Sequence, residues 1–394
     1  MKSRLKYPLS LYVVWHPNFG EGKSIANNLY SIFCRDIEQP LSRGLGIPVY
    51  FRSTFFDNAP LPIDITNSKR NAIILLIDQH YFVDNNLGIY TETLVKSISD
   101  STRIFPIALC RQAYDLKCGL DTYQFIKAYN DDLTAETFLD FSLKKIKTEL
   151  LHDCARLLMN FQPSYMDKNE DRIPSPVKLF LSHAKKDGEE TAKKFKAFVD
   201  AELKLDVFFD TVDIADGYEF EKQIEANIKN SALVVFLTDA YSTREWCRIE
   251  VLVAKRKKSS IVVVHNIKNG ERRSFPYLGN TPTIILHEDK VESFIEIINL
   301  TLFQVLNNLY QLELLESFHQ EFHNEGIEFI SITSPPELFN FIDIYKKKVE
   351  SKNHLVVLYP EPPLGIEELK ILNELDKDVE FITPILLPTL ALKW

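Results

Sequence analysis

Apolar residues along this chain of 394 residues follow two alternating rhythms. Short unbroken apolar runs, such as Leu11–Trp15 and Ala232–Leu237, fit strands that are covered on both faces. Between them lie longer stretches whose apolar residues recur three and four apart, as on one side of a helix. That alternation builds a parallel sheet with helices on both faces, and it occurs in three sections.

The first section opens with the strand Leu11–Trp15 and a helix that sets Ile25, Leu29, Ile32 and Phe33 on one stripe. Strands are predicted at Ile47–Phe51, Ala72–Ile77 and Ile104–Leu109, followed by helical patterning through Thr137–Met159. The polar segment Pro163–Pro176 contains three prolines and reads as a linker. The second section predicts strands at Val177–Ser182, Leu205–Phe209, Ala232–Leu237 and Ile261–Val264. Helices at Gly188–Glu202, Phe220–Asn230 and Glu245–Lys255 alternate with them, and apolar helical sequence closes it at Val291–Leu314. The first helix stacks Ala192, Phe195, Phe198 and Val199; the next stacks Phe220, Ile224 and Ile228. The third section has strands at Ile327–Ile332, His354–Tyr359 and Phe381–Leu387, with helices near Pro336–Val349 and Ile366–Leu375. The expected domains are therefore residues 1–162 (α/β, Rossmann-like), 177–314 (a flavodoxin-like doubly wound sheet) and 315–394 (a small α/β section), with 163–176 as linker.

Composition narrows the class. Hydrophobic residues are 45% and charged residues 26%, as in soluble globular proteins, and 27 Phe with 16 Tyr imply bulky cores. A net charge of −9 argues against nucleic acid as the default partner. The basic runs Lys255–Lys258 and Lys346–Lys348 fall late in predicted helices, where cations complement the macrodipole. Five scattered cysteines (Cys34, Cys110, Cys118, Cys154, Cys247) without a CxxC point to reduced thiols rather than a disulfide framework or zinc ribbon. No apolar run reaches the ~18 residues that a membrane span needs, and the N-terminus lacks a signal-peptide core, so a cytoplasmic location without membrane attachment is expected.

The three sections echo one another. Ile74–Asp78 leads to Glu92 as Val234–Asp239 leads to Glu250, and Leu355–Leu358 is followed by Glu367 and Glu368. The spacing is not fixed, so this is no solenoid; it is either a set of related units, one intact and two degenerate, or the coincidence that any α/β chain produces.

Ligands of open parallel sheets bind beyond the carboxyl ends of the strands. In the second section those ends carry Ser182, His183, Asp210, Thr238 and Asp239. The following helix begins near Glu245, so Trp246 and Glu250 sit four apart on one side of its first turns. A carboxylate beside an indole there would suit a planar cationic ring attached to a sugar.

Lys178–His183 looks like the opening strand of TIR domains, and Asp213-Ile214-Ala215-Asp216-Gly217 is similar to the loop after the family's second strand. Tyr241–Glu250 resembles its Ser-x-x-Trp-Cys-x-x-Glu segment. The resemblance, to the bacterial NAD-cleaving type, covers about a third of the chain and makes residues 1–162 a degenerate TIR-like or Rossmann-like domain by expectation. It implies that Glu250 is the essential residue for cleaving the nicotinamide–ribose bond of NAD+, a substrate that needs no further cofactor or metal. Trp246 would flank the nicotinamide or ribose, while Ser182, His183, Lys185, Asp210, Asp216 and Gly217 belong to the expected substrate side. Asp216 stands where the family usually has proline, in a loop that mediates contacts between TIR domains. The resemblance further implies an antiviral defence effector activated by self-association, with a sensor or partner protein as trigger. The product would be ADP-ribose or a cyclic ADP-ribose signal, and the rival expectation is a non-catalytic scaffold.

Two other motifs are set aside. Gly20-Glu21-Gly22-Lys23-Ser24 lacks the earlier glycine of a P-loop, whose place is Pro17. His319 and His323 have helical metal-pair spacing without the glutamate order of a metalloprotease.

Overall fold

The computed structural model describes residues 6–39, 42, 44–56, 59–132, 134–160, 175–203, 205–209, 220–269, 275–287, 290–321, 327–350 and 354–390. The chain divides into two compact units, Met1–Glu149 with Tyr310–Trp394, and Leu150–Leu309.

The first unit begins with β1 (Tyr7–Trp15), α1 (Gly22–Phe33) and β2 (Val49–Arg52). A small antiparallel hairpin, β3 (Phe55–Phe56) and β4 (Ala59–Pro60), leads to β5 (Ser68–Ile77). Then come α2 (Gln79–Val83), α3 (Asn85–Ser97), β6 (Thr102–Ala108), β7 (Ile126–Lys127) and the long α4 (Ala135–Met159). The sheet order is β2-β1-β5-β6-β7, with every pairing parallel. The unbroken apolar runs of β1 and β5 follow from this, because central parallel strands are covered on both faces and both are buried almost throughout. Aspartates start the two helices after β5: Asp78 accepts from the His80 and Tyr81 amides, and Asp84 from those of Asn86 and Leu87.

The P-loop-like glycines have a packing explanation. Gly22 opens α1 directly against the buried Trp15 ring, so a Cβ there would lie 2.2 Å from the indole Cδ1, whereas Gly20 has open space around it.

The second unit contains β8 (Lys178–His183), α5 (Glu189–Glu202), β9 (Asp206–Phe209), α6 (Phe220–Ile228), β10 (Ser231–Leu237), α7 (Glu245–Lys257), β11 (Ile261–His265) and β12 (Thr283–Ile285). Its sheet runs β12-β11-β10-β8-β9, again all parallel. Numbered within the unit, that order is 2-1-3-4-5 from the β9 edge, which is the flavodoxin-like doubly wound arrangement. Leu233, Val235 and Leu237 pack with Ile224 and Ile228 of α6 and Val251 and Ala254 of α7. The intervening Phe236 faces the other side, edge-on to Phe195 of α5 with ring centroids 5.5 Å apart. Residues 163–174 of the expected linker lie outside the described residues.

The helix α8 (Val291–Glu321) contains the boundary between the units. In the first unit, its later residues meet the N-terminal sheet: Arg70 of β5 donates to both carboxylate oxygens of Glu313, at 2.7 and 2.6 Å. The Gln311 amide and Tyr310 hydroxyl donate to the carbonyls of Leu45 and Gly46. Leu315 packs on a three-stranded parallel sheet, β13 (Ile327–Ser331), β14 (His354–Leu358) and β15 (Val379–Ile382), in that order. The other face of this sheet is covered by α9 (Leu338–Glu350) and α10 (Ile366–Leu375). The strand expected to reach Leu387 stops at Ile382, because Pro384 opens a 3-10 turn that leads into α11 (Leu387–Leu390).

Gly22→Ala should destabilise the protein by about 1–3 kcal/mol through overpacking against Trp15, with Gly20→Ala within about 0.5 kcal/mol of the parent in denaturant titrations. Equal effects of the two substitutions would contradict the close packing.

A second expectation concerns alkaline pH. Burial holds the phenols of Tyr81 and Tyr310 well above their ordinary value. Unfolded tyrosines lose protons from about pH 10 while these native ones do not, so the unfolded state then binds fewer protons and stability falls. Melting temperatures should therefore hold below about pH 10 and decline above it. A full tyrosinate absorbance change at the ordinary midpoint, before unfolding, would show that these phenols are accessible.

Candidate functional site

The strand order of the second unit reverses between β8 and β10, and beyond the carboxyl ends of strands at such a switch point is where open parallel sheets generally take their ligands. At this edge Ser182 registers with Val235 and His183 with Phe236. Successive strand residues face opposite sides of a sheet, and these two do so. The Ser182 side chain meets α7. The His183 ring instead stacks on Phe209, with centroids 4.7 Å apart and planes 9° from parallel.

Carboxylates hold the loops. Asp187, in the loop after β8, accepts from the Thr238 hydroxyl at 2.7 Å and from the Ala240 amide at 2.9 Å. Asp239, after β10, accepts from the backbone amides of Lys268 and Asn269 in the loop after β11. These bonds fix the chain ahead of a 3-10 turn, Tyr241–Thr243, which delivers it to the start of α7.

Glu250 is the sixth residue of α7 and is 3% exposed. That position is beyond the first turn, where the favourable effect of the helix dipole on a carboxylate fades. One partner that the structure supplies is the Ser182 hydroxyl, which donates to Glu250 Oε2 at 2.5 Å. The Tyr241 hydroxyl lies 2.6 Å from the same serine oxygen. The Cys247 thiol donates to the His183 carbonyl at 3.4 Å, a second tie between α7 and the end of β8. Burial, with Glu250 and Cys247 adding to it, pushes the Tyr241 phenol far up, so it stays protonated and able to donate.

Glu250 and Ser182 are thus brought into contact. Trp246, one turn earlier on α7, is 47% exposed and stands at the solvent side. Lys185 is exposed on the loop after β8. With His183 it adds to the field at Glu189, whose carboxyl is held below its usual range chiefly by the hydrogen bond and charge of Lys193. Asp210, Asp216 and Gly217 lie outside the described residues, as does His323. Two contributors, Tyr241 and Asp187, had no assigned role in the sequence reading. The tyrosine's place four residues past an apolar strand was the available signal for one, and nothing local marked the other.

The echoing glutamates behave differently. Glu92 is on the outer side of α3, 2.6 Å from Lys96, while its neighbour Thr91 is buried and accepts from Tyr81. Tyr81 lies four residues past Ile77, as Tyr241 lies four past Leu237. In the first unit the tyrosine thus meets Thr91 of the helix directly, whereas in the second Tyr241 meets Ser182 of β8, which in turn bonds Glu250. Glu368 accepts from the Gly365 amide at 2.8 Å and closes the start of α10.

Fold and site together define a doubly wound α/β domain with a buried carboxylate at the switch point of its sheet. The family model described as TIR domain matches residues 179–297, and the middle third of this chain is a TIR domain. No curated protein shows a significant match to the chain. Among the described residues, no helix is long and apolar enough to cross a membrane.

Proposed function

We propose that the TIR domain cleaves the nicotinamide–ribose bond of NAD+, with Glu250 as the catalytic carboxylate. The observation that supports this reading is a buried Glu250 carboxylate that accepts from Ser182 at the carboxyl end of β8, the strand beside the switch point of the sheet.

In the reaction the glycosidic C–N bond breaks and its electron pair passes to the pyridinium nitrogen, so nicotinamide leaves neutral. The ribose gains oxocarbenium character, which a fixed carboxylate stabilises electrostatically and through the ribose hydroxyls. Water then bonds to the anomeric carbon and releases its proton to solvent, giving ADP-ribose; attack from the adenine end of the same molecule gives a cyclic product. The exposed indole of Trp246 offers a flat wall for the ring, and Lys185 a cation for the phosphates. His183, Asp210, Asp216 and Gly217 complete the proposed substrate side. NAD+ is substrate, and the chemistry calls for no resident cofactor.

The wider role proposed is that of a defence effector in the cytoplasm, switched on when TIR domains of several copies associate or when a sensor protein brings them together. Activity should then rise more steeply than protein concentration. Nicotinamide release from NAD+ by the full chain, followed over increasing concentration, tests this. Glu250→Gln should lower release by at least ~100-fold while circular dichroism and melting stay close to the parent. Absence of release at every concentration would leave the domain as an assembly scaffold, and mass spectrometry of the products separates hydrolysis from cyclisation.

A further inference from the structure

The hydrogen bonds at Ser182 run in one direction. A serine hydroxyl carries one proton, and an ionised carboxylate only accepts. With Glu250 Oε2 at 2.5 Å and the Tyr241 hydroxyl at 2.6 Å, the serine proton goes to the carboxylate and the tyrosine proton to the serine oxygen. The competing acceptor for the phenol, the Cys247 carbonyl, is 3.4 Å away, at the limit of a useful bond. All three side chains are buried, at 0%, 1% and 3% exposure for Tyr241, Ser182 and Glu250, so bulk water does not compete for these donors. Each donor in such a chain polarises the next.

We infer that Tyr241 and Ser182 are positioning residues, a two-step donor chain that fixes the Glu250 carboxylate in the orientation that ribosyl cleavage needs. Ser182, expected from the sequence to face substrate, acts in this scheme through Glu250. The inference rests on the proposed reaction for its kinetic consequence, but the orientation itself is independent of turnover.

The first unit supplies an internal comparison. Tyr81 keeps the corresponding place and donates to Thr91, whose own hydroxyl donates to the Leu87 carbonyl. A buried tyrosine there can hold its loop without any carboxylate. The test must therefore read more than stability.

The experiment uses the full chain with Ser182→Ala, Ser182→Thr and Tyr241→Phe. Glutamate labelled at its carboxyl carbon gives an infrared carboxylate band for Glu250, assigned by difference against Glu250→Gln. That band should shift in Ser182→Ala, shift less in Tyr241→Phe, and return toward the parent position in Ser182→Thr. With NAD+, kcat should drop roughly tenfold to a hundredfold in Ser182→Ala, because a small displacement of the reacting group is costly. KM should stay within about threefold, and Ser182→Thr should restore much of kcat. An unmoved band, or a rise in KM with kcat intact, would overturn the assignment, the latter by placing Ser182 against the substrate. If Ser182→Ala fails to fold, Tyr241→Phe and Ser182→Thr carry the same comparison. Should the parent release no nicotinamide, the reaction fails while the infrared result still decides whether the donor chain exists.

Discussion

A carboxylate buried in a protein must find donors or pay heavily for lost water. Glu250 finds its donor in Ser182, and that bond constrains much of the second unit. It requires β8 to lie directly beside β10, so that the end of one strand faces the helix that follows the other. It requires the β10–α7 loop to turn at a fixed place, which the Asp187 bonds to Thr238 and Ala240 enforce. It also requires α7 to pack with one side on the sheet, through Val251 and Ala254. With the donor lost, the same carboxylate would stand buried without the Ser182 hydroxyl that faces it, so the fold and the site have a common dependence.

Much of this architecture was readable from the chain because parallel strands and amphipathic helices write their burial into local patterns. The predicted helix Ile366–Leu375 has the observed ends, and the strands of the TIR domain differ by a residue or so. Shorter elements escaped. β7 and β12 have two and three residues, too few for any periodicity, and are strands only because a neighbour pairs with them. The candidate site was legible as a set of residue types, Trp246 and Glu250 at helical spacing, but its connections were not. Ser182 and Glu250 are 68 residues apart, and Ser182 and Tyr241 are 59 apart. Nothing local states which strand end a helix residue will meet; the strand order decides it.

The two five-stranded sheets show how far topology and chemistry can separate. Both run 2-1-3-4-5, and both follow the third strand with a buried tyrosine four residues on, which bonds a helix threonine in the first unit and a strand serine in the second. One helix offers Thr91, which satisfies itself on its own backbone; the other offers Glu250, which must be satisfied by the sheet. Thr91 asks nothing of the end of β1, where Val14, in the register position of Ser182, packs as an apolar residue with Leu75, Ile77 and Tyr81. A shared fold therefore sets where a reactive group could stand, while the residue there decides whether chemistry is available.

Among the described residues, the third sheet has no such reversal of strand order. Its strands lie in chain order, β13-β14-β15, so no reversal opens a crevice between diverging loops. Connections of a single hand then bring α9 and α10 to the same face, leaving the opposite face to α8. One side meets the helix that Arg70 holds through Glu313, in a largely buried ion pair in which one guanidinium nitrogen donates to both carboxylate oxygens. Such pairs add little net stability for the desolvation they cost, and their usual gain is specificity of arrangement. The arrangement selected here makes the C-terminal section part of the same unit as the N-terminal sheet, although some 160 residues of TIR domain and flanking helix intervene.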